Sequence, residues 1–275
     1  MGFSVIENPL RTIWVPVDFA NSAKTLYQGA IVGSTLSSSV PSGEGVDALA
    51  AAAGAADTTG KAVPFGVILG FNDSADSGTY SSTYMGQSVV SVGTQAAQAA
   101  RSFRGAEGMF AKGDPMVLAK VAVIGTDTIL KGRIFNGAYG KAPTVYTNTT
   151  ASTTGGTVTT TAVGNTPIAY NHTWYCRKGA NMGLYRTAYS TSTTSHTFYI
   201  TFPQDIAVGD TFCPAFLRLG TCAAQFDAAS TYIEAQPAYA TNYYLIDVLE
   251  LHLETAGEEY AIFKFNADQF CAARE

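Results

Sequence analysis

The sequence predicts an all-β protein, with a small barrel-like N-terminal domain, a C-terminal antiparallel β-sandwich and few short helices. Three observations carry this. Short β-branched and aromatic runs recur along residues 1–142, punctuated by Gly29, Gly33, Gly70, Gly78, Gly86, Gly93, Gly113 and Gly125. Leu249–Glu254 alternates apolar and polar residues strictly, and a β-rich run, Tyr260–Phe265, follows it after a Thr-Ala-Gly-Glu turn. Aromatic residues crowd the stretch from Tyr170 to Tyr244. Many short strands joined by glycine turns read as a barrel or a sandwich.

The elements follow in order. Thr12–Val17 is the first clear strand, and Pro16 confines it to a sheet edge or a strand end, since proline brings no amide to a ladder. Leu26–Val32 runs to a Gly33-Ser34 turn. Val63–Leu69 contains Gly66, and Val89–Val92, Val117–Ile124 and Thr128–Phe135 complete the first domain. Gly45–Ala56 stands apart. Its alanines favour a short helix, while its Pro and Gly flanks suit an ordered loop. Thr94–Arg101 is a second short helix candidate.

Residues 143–165 are dominated by Thr, Gly and Ser. They read as a linker, or as a polar hairpin with Gly155-Gly156 at its tip. Thr157-Val158-Thr159 has strand character. Residues 166–275 form the aromatic-rich second domain. Thr197–Phe202 is a strand. In the final hairpin the first strand buries Leu249, Leu251 and Leu253 on one face and shows Glu250, His252 and Glu254 on the other.

Charge is scarce. Only 13% of the 275 residues are Asp, Glu, Lys or Arg, about half the roughly 25% of an ordinary soluble chain. Lys and Glu are depleted in the cores of protein interfaces, so the expected surroundings are other protein subunits. Net charge is −5 and the basic residues are scattered. That leaves no stripe to track phosphates, and no nucleic-acid partner is expected. Met1–Phe19 has no basic-then-apolar leader, and no run is apolar enough to cross a bilayer. Cytoplasmic synthesis and no membrane partner are the expectation.

Residues that carry chemistry are few. Gly54–Ala62 has one residue too many for a P-loop and Ala62 where a hydroxyl is needed. Gly43-x-Gly45-x-x-Ala48 lacks the strand that a dinucleotide loop requires. Asn72–Gly78 is rich in oxygen but lacks calcium-loop spacing, and reads as a turn. Cys176, Cys213, Cys222 and Cys271 form no CxxC pair, and His172, His196 and His252 are not at ligand spacing from them. Zinc is not expected; buried free thiols are, with a Cys213–Cys222 disulfide as the alternative. No GxSxG elbow is present. His252 shares its strand face with Glu250 and Glu254, which we read as a solvated or interface face. No catalytic, cofactor-binding or metal site is expected. The C-terminal tyrosines suit core and interface positions, or a platform for carbohydrate.

Tyr27-Gln28-Gly29-Ala30-Ile31-Val32-Gly33 is followed by a Ser/Gly/Ala-rich insert and then by Pro64-Phe65-Gly66-Val67-Ile68-Leu69-Gly70. Later comes Lys112-Gly113-Asp114-Pro115, ahead of Met116-Val117-Leu118. This layout, over residues 10–135, resembles the capsid decoration (cement) proteins of tailed bacteriophages. The resemblance implies a β-tulip-like N-terminal domain and no catalysis. It implies a virion protein on the outer capsid surface that binds the major capsid protein and bridges capsomers, as a homo-oligomer with a trimer favoured. The expected contacts are then an extended N-terminal arm with Val5, Ile6, Leu10, Ile13 and Trp14, and a loop carrying Val46 and Leu49. Three alternatives remain: a fibre or receptor module that binds surface glycans through the C-terminal tyrosines, a self-assembling capsid or tail-tube subunit, and a hydrolase with an unrecognised site, for which His252 is the residue to test.

Overall fold

The computed structural model describes residues 2–16, 24–36, 44–49, 63–71, 80–84, 87–92, 118–135, 145–160, 173–192, 194–215, 217–227, 230–234 and 244–271. The fold is nearly all β, in several antiparallel sheets. Two compact units alternate along the chain. The first takes Met1–Gly132, Phe226–Tyr232 and Lys264–Glu275, and the second takes Arg133–Gln225 and Ile233–Phe263.

The first unit holds β1 (Ser4–Glu7), β2 (Arg11–Pro16), β3 (Lys24–Tyr27), β4 (Ile31–Leu36), β5 (Glu44–Ala48), β6 (Pro64–Phe71), β7 (Tyr80–Tyr84), β8 (Gln87–Val92), β9 (Leu118–Val123) and the start of β10 (Ile129–Phe135). One antiparallel sheet runs β2-β9-β6-β4-β5. Pro16 lies on its edge strand, as a residue without an amide must. The two end strands, β2 and β5, approach one another, so the sheet curls into a half-barrel. A smaller sheet runs β3-β8-β7, and β1 pairs with β10 through Ser4↔Lys131 and Val5↔Leu130. The core of the curled sheet is Leu26, Ala30, Val32, Val46, Ile68, Ala119 and Val121. Each large aliphatic side chain buried there contributes roughly 1.5–3 kcal/mol. Gly66 lets β6 and β9 pack closely, since a Cβ at this position would fall 2.3 Å from Val121 Cγ1.

Three expectations for this unit change. Gly33-Ser34 is not a turn: both residues lie within β4 and pair with β5 through Gly33↔Asp47 and Ser34↔Val46. Leu26–Val32 is not one strand: the chain breaks at Gly29, whose φ of +82° belongs to the left-handed region, and a turn bond runs from the Ala30 amide to Tyr27 O at 3.0 Å. Glu44–Ala48 is strand β5 rather than the start of a helix, because pairing to β4 (Ser34↔Val46) overrides the weak helix preference of the Ala-rich run it opens. The remainder of that alanine run, the second helix candidate Thr94–Arg101, the Asn72–Gly78 segment and the Lys112–Pro115 turn lie outside the described residues.

The second unit holds the end of β10, then β11 (Tyr146–Thr147), β12 (Thr157–Thr159), β13 (Thr173–Lys178), β14 (Tyr185–Thr191), β15 (Ser195–Phe198), β16 (Thr211–Ala215), β17 (Gly220–Ala224), β18 (Ile233–Glu234), β19 (Tyr244–His252) and most of β20 (Tyr260–Phe265). A sheet runs β11-β16-β13-β14-β15-β12 over a core of Tyr146, Val158, Trp174, Cys176, Ala188, Phe198, Phe202, Ile206 and Phe212. The described part of the Thr/Gly-rich segment thus supplies both end strands of this sheet. They are brought together by Asn148, which is fully buried. Its Oδ1 accepts the Thr159 amide at 2.9 Å. Its Nδ2 donates to Thr150 O at 2.7 Å and to Ala207 O at 2.9 Å.

Beside this sheet, β20, β19 and β17 are neighbours in that order, and β18 runs parallel to the end of β10 through Ile134↔Ile233. The C-terminal hairpin expected from alternation is present as β19 and β20. Its alternation changes phase midway. Tyr244, Ile246 and Val248 are buried, then Leu251 and Leu253 are, while Leu249 and Glu250 are both exposed. Leu249 therefore faces solvent, against expectation. The Arg177 guanidinium anchors the turn after β19: its Nε donates to Leu253 O at 2.7 Å, and Nη2 pairs with the buried Glu259 carboxylate. The strand expected over Thr197–Phe202 ends at Phe198, and Tyr199 and Ile200 turn outward. Cys176, Cys213 and Cys222 are free thiols.

Candidate functional site

Two surfaces of the described structure stand out. The first is apolar and belongs to the N-terminal strands of the first unit. Ile6, Leu10 and Trp14 are exposed, Leu10 by 67%; Val5 and Ile13 are half-buried. The segment is held firmly. β2 pairs with β9 from Arg11↔Val123 to Pro16↔Leu118, and the Leu10 amide donates to Val123 O at 2.9 Å. The corner at Asn8 takes a left-handed φ of 52° and is braced by Thr128, whose hydroxyl donates to Asn8 O at 2.8 Å. An arm free to reach outward is not what these strands form; they offer a fixed surface. Val46 and Leu49 lie in the core of the unit, so of the residues expected to make contacts, the outward-facing ones are those of β1 and β2.

The second surface is a groove of about 860 Å³ in the second unit. β14 supplies Tyr185, Arg186 and Thr187; the bend after β15 supplies Tyr199 and Ile200; Arg218 and Leu219 precede β17; the end of β19 supplies Leu249, Glu250 and His252, and Glu254 follows. The phase change in β19 is what turns Leu249 into this groove beside Glu250. Tyr199, Ile200, Leu219 and Leu249 give it exposed apolar walls.

The polar groups of the groove are fixed by one another. His252 Nε2 lies 3.0 Å from Glu250 Oε2, and Nδ1 lies 3.6 Å from Glu254 Oε2. The imidazole stacks on Tyr260 with ring centres 4.3 Å apart. The three residues do share a face, as their i±2 spacing predicts. Tyr185 donates to Glu254 Oε1 at 2.5 Å, and its oxygen is 2.9 Å from Leu251 O. Burial, then the Glu254 carboxylate, pushes the Tyr185 phenol well above its ordinary pKa, so it remains a hydrogen-bond donor. Arg186 is tied to Thr201 O at 2.9 Å and Tyr185 O at 2.7 Å. Arg218 donates to Thr221 O at 3.1 Å. Among the described residues no group of three His, Cys, Asp or Glu side chains could hold a metal ion.

Sequence reasoning singled out His252 and its two glutamates but missed the groove around them. Its walls come from segments between Thr173 and Glu254 that only the fold brings together. The pairing of Tyr185 with Glu254 leaves no local pattern.

No protein-family model, curated protein or solved structure matches the chain. The functional reading therefore rests on its own residues.

Proposed function

We propose that this chain is a structural virion protein that decorates the outer surface of a tailed-phage capsid and stabilises the head by bridging capsomers. The observation that carries the reading is the fixed apolar surface of β1 and β2 on a chain this poor in charge. Ile6, Leu10 and Trp14 are large, exposed and close in sequence, and on a chain so poor in charge we read them as side chains that meet another protein. Val5 and Ile13 border it. Contact with the major capsid protein removes these side chains from water without desolvating many charges. In this reading the first unit is the barrel-like capsid-binding domain, the second is an antiparallel sandwich, and the protein acts as a homo-oligomer, a trimer, without catalysis or cofactor.

Native mass and co-sedimentation test it. The purified protein is mixed with empty heads assembled from the major capsid protein encoded with it. A discrete trimer, or a monomer, that pellets with the heads supports decoration, and Leu10→Asp with Trp14→Asp should leave it in the supernatant. Large tubes or closed shells formed by the protein alone would instead identify a shell or tail-tube subunit. A soluble protein indifferent to heads would end the decoration reading.

A further inference from the structure

We infer that the groove of the second unit is a binding site for a neutral carbohydrate, a short oligosaccharide without acidic groups. The inference stands apart from the capsid-binding proposal, which concerns the other unit.

Four observations carry it. The volume, about 860 Å³, lies within the roughly 300–1,000 Å³ of small-ligand sites. The walls are apolar and open. Ile200 is 70% exposed, Leu219 65% and Tyr199 62%, and Tyr199 is backed by Tyr189 with ring centres 5.4 Å apart. A sugar ring has an apolar C–H face that packs on such a surface, and an aromatic ring provides contact area with few rotors.

The polar groups suit hydroxyls. Glu250 and Glu254 are planar acceptors of O–H groups, and Arg186 and Arg218 are planar donors. All four are already held by partners within the second unit: His252 on Glu250, Tyr185 on Glu254, and backbone carbonyls on the two arginines. Held groups lose little freedom when a ligand arrives.

The charges settle the class of ligand. Two arginines and two glutamates line one groove. A strongly anionic ligand would meet the carboxylates and a cationic one the guanidiniums. A neutral polyol uses donors and acceptors of both signs and encounters neither repulsion.

The test uses the full-length protein on an array with three arms: neutral hexose and N-acetylhexosamine oligosaccharides, sialylated or sulfated glycans, and basic peptides. Binding confined to neutral glycans is expected. Tyr199→Ala should weaken it about tenfold, and Glu250→Gln should weaken it without shifting the melting temperature. Met182→Ala, exposed and outside the groove, should leave it unchanged. No neutral glycan bound, binding confined to either charged arm, or binding unaltered in both groove variants would each overturn the assignment.

Discussion

The amide of Phe3 donates to the carbonyl of Gly29 at 2.7 Å, and the chain at Gly2 lies so close that a Cβ on Gly29 would sit 2.8 Å from Gly2 Cα. Gly29 in turn donates its own amide to Ile68 O at 2.8 Å. One left-handed glycine thus joins the N-terminus, the β3–β4 turn and β6. A side chain at this position fails on two grounds, the φ of +82° and the absence of space. Gly29→Ala should cost about 2–4 kcal/mol, the left-handed penalty plus displacement of backbone. Gly70→Ala, where an added Cβ meets nothing within 4 Å, should change stability by less than about 0.5 kcal/mol. Urea midpoints of the two variants check this; equal losses would refute it.

Asn148 closes the β11–β12 loop with three bonds from a fully buried side chain. Asn148→Ala leaves the Thr159 amide and two carbonyls without those partners. Losing the bonds of this buried side chain should cost about 1–3 kcal/mol, more than a typical surface change. Thr149→Ala, at the neighbouring exposed position, should be mild. Thermal melts of the two variants give the comparison.

His196 is buried against Trp174, with ring centres 4.2 Å apart, and its Nε2 lies 3.4 Å from Thr160 Oγ1. Burial lowers its pKa to about 4, against about 6.5 in an unfolded chain. Between those values the unfolded chain binds a proton that the folded one refuses. The stabilisation is therefore complete above about pH 6.5 and is lost as pH falls towards 4, by about 3 kcal/mol in all. His196→Gln should remove this part of the pH dependence. Denaturant curves from pH 7 to pH 4 on both proteins measure it, and parallel losses would contradict the assignment.

Burial pushes the Cys176 thiol up to about 11 and the Cys213 thiol up to about 12. The thiolate is the reactive form. Neither residue should take up iodoacetamide at pH 8 until the protein is unfolded by denaturant. Peptide mapping after a timed exposure reads this directly. Rapid native labelling of Cys213 would show that the second unit opens far more readily than its packing implies.

Much of the fold can be read locally. Pro16 marks an edge, and β6, β9 and β10 stand where β-branched runs stand. Leu249–Glu254 reveals the hairpin and the shared face of His252 and its glutamates. What escapes local reading has non-local causes. Leu26–Val32 reads as one strand although Gln28-Gly29 lies inside it, and the contacts with Gly2 and β6 fix the reversal at Gly29. Leu249 reads as core because alternation assumes one phase, whereas β19 changes faces between Val248 and Leu251. Asn148 is one polar residue among many in a Thr/Gly-rich stretch, and its role depends on Ala207 and Thr159. The groove belongs to this second group, since Tyr185-Arg186, Tyr199, Arg218 and Leu249–Glu254 are distant from one another in sequence.

The first unit joins Phe3 to Phe226, Phe226 to Phe265, and Phe265 to Phe270 by ring contacts of 5.4, 5.9 and 6.2 Å. On a ribosome these rings emerge far apart in time. Every residue of the second unit is synthesised before Phe265 appears, so the first unit is the later of the two to acquire its full core. Vectorial synthesis, which ordinarily lets an earlier domain fold first, here leaves the strands of the first unit without their full core until the second unit has been made.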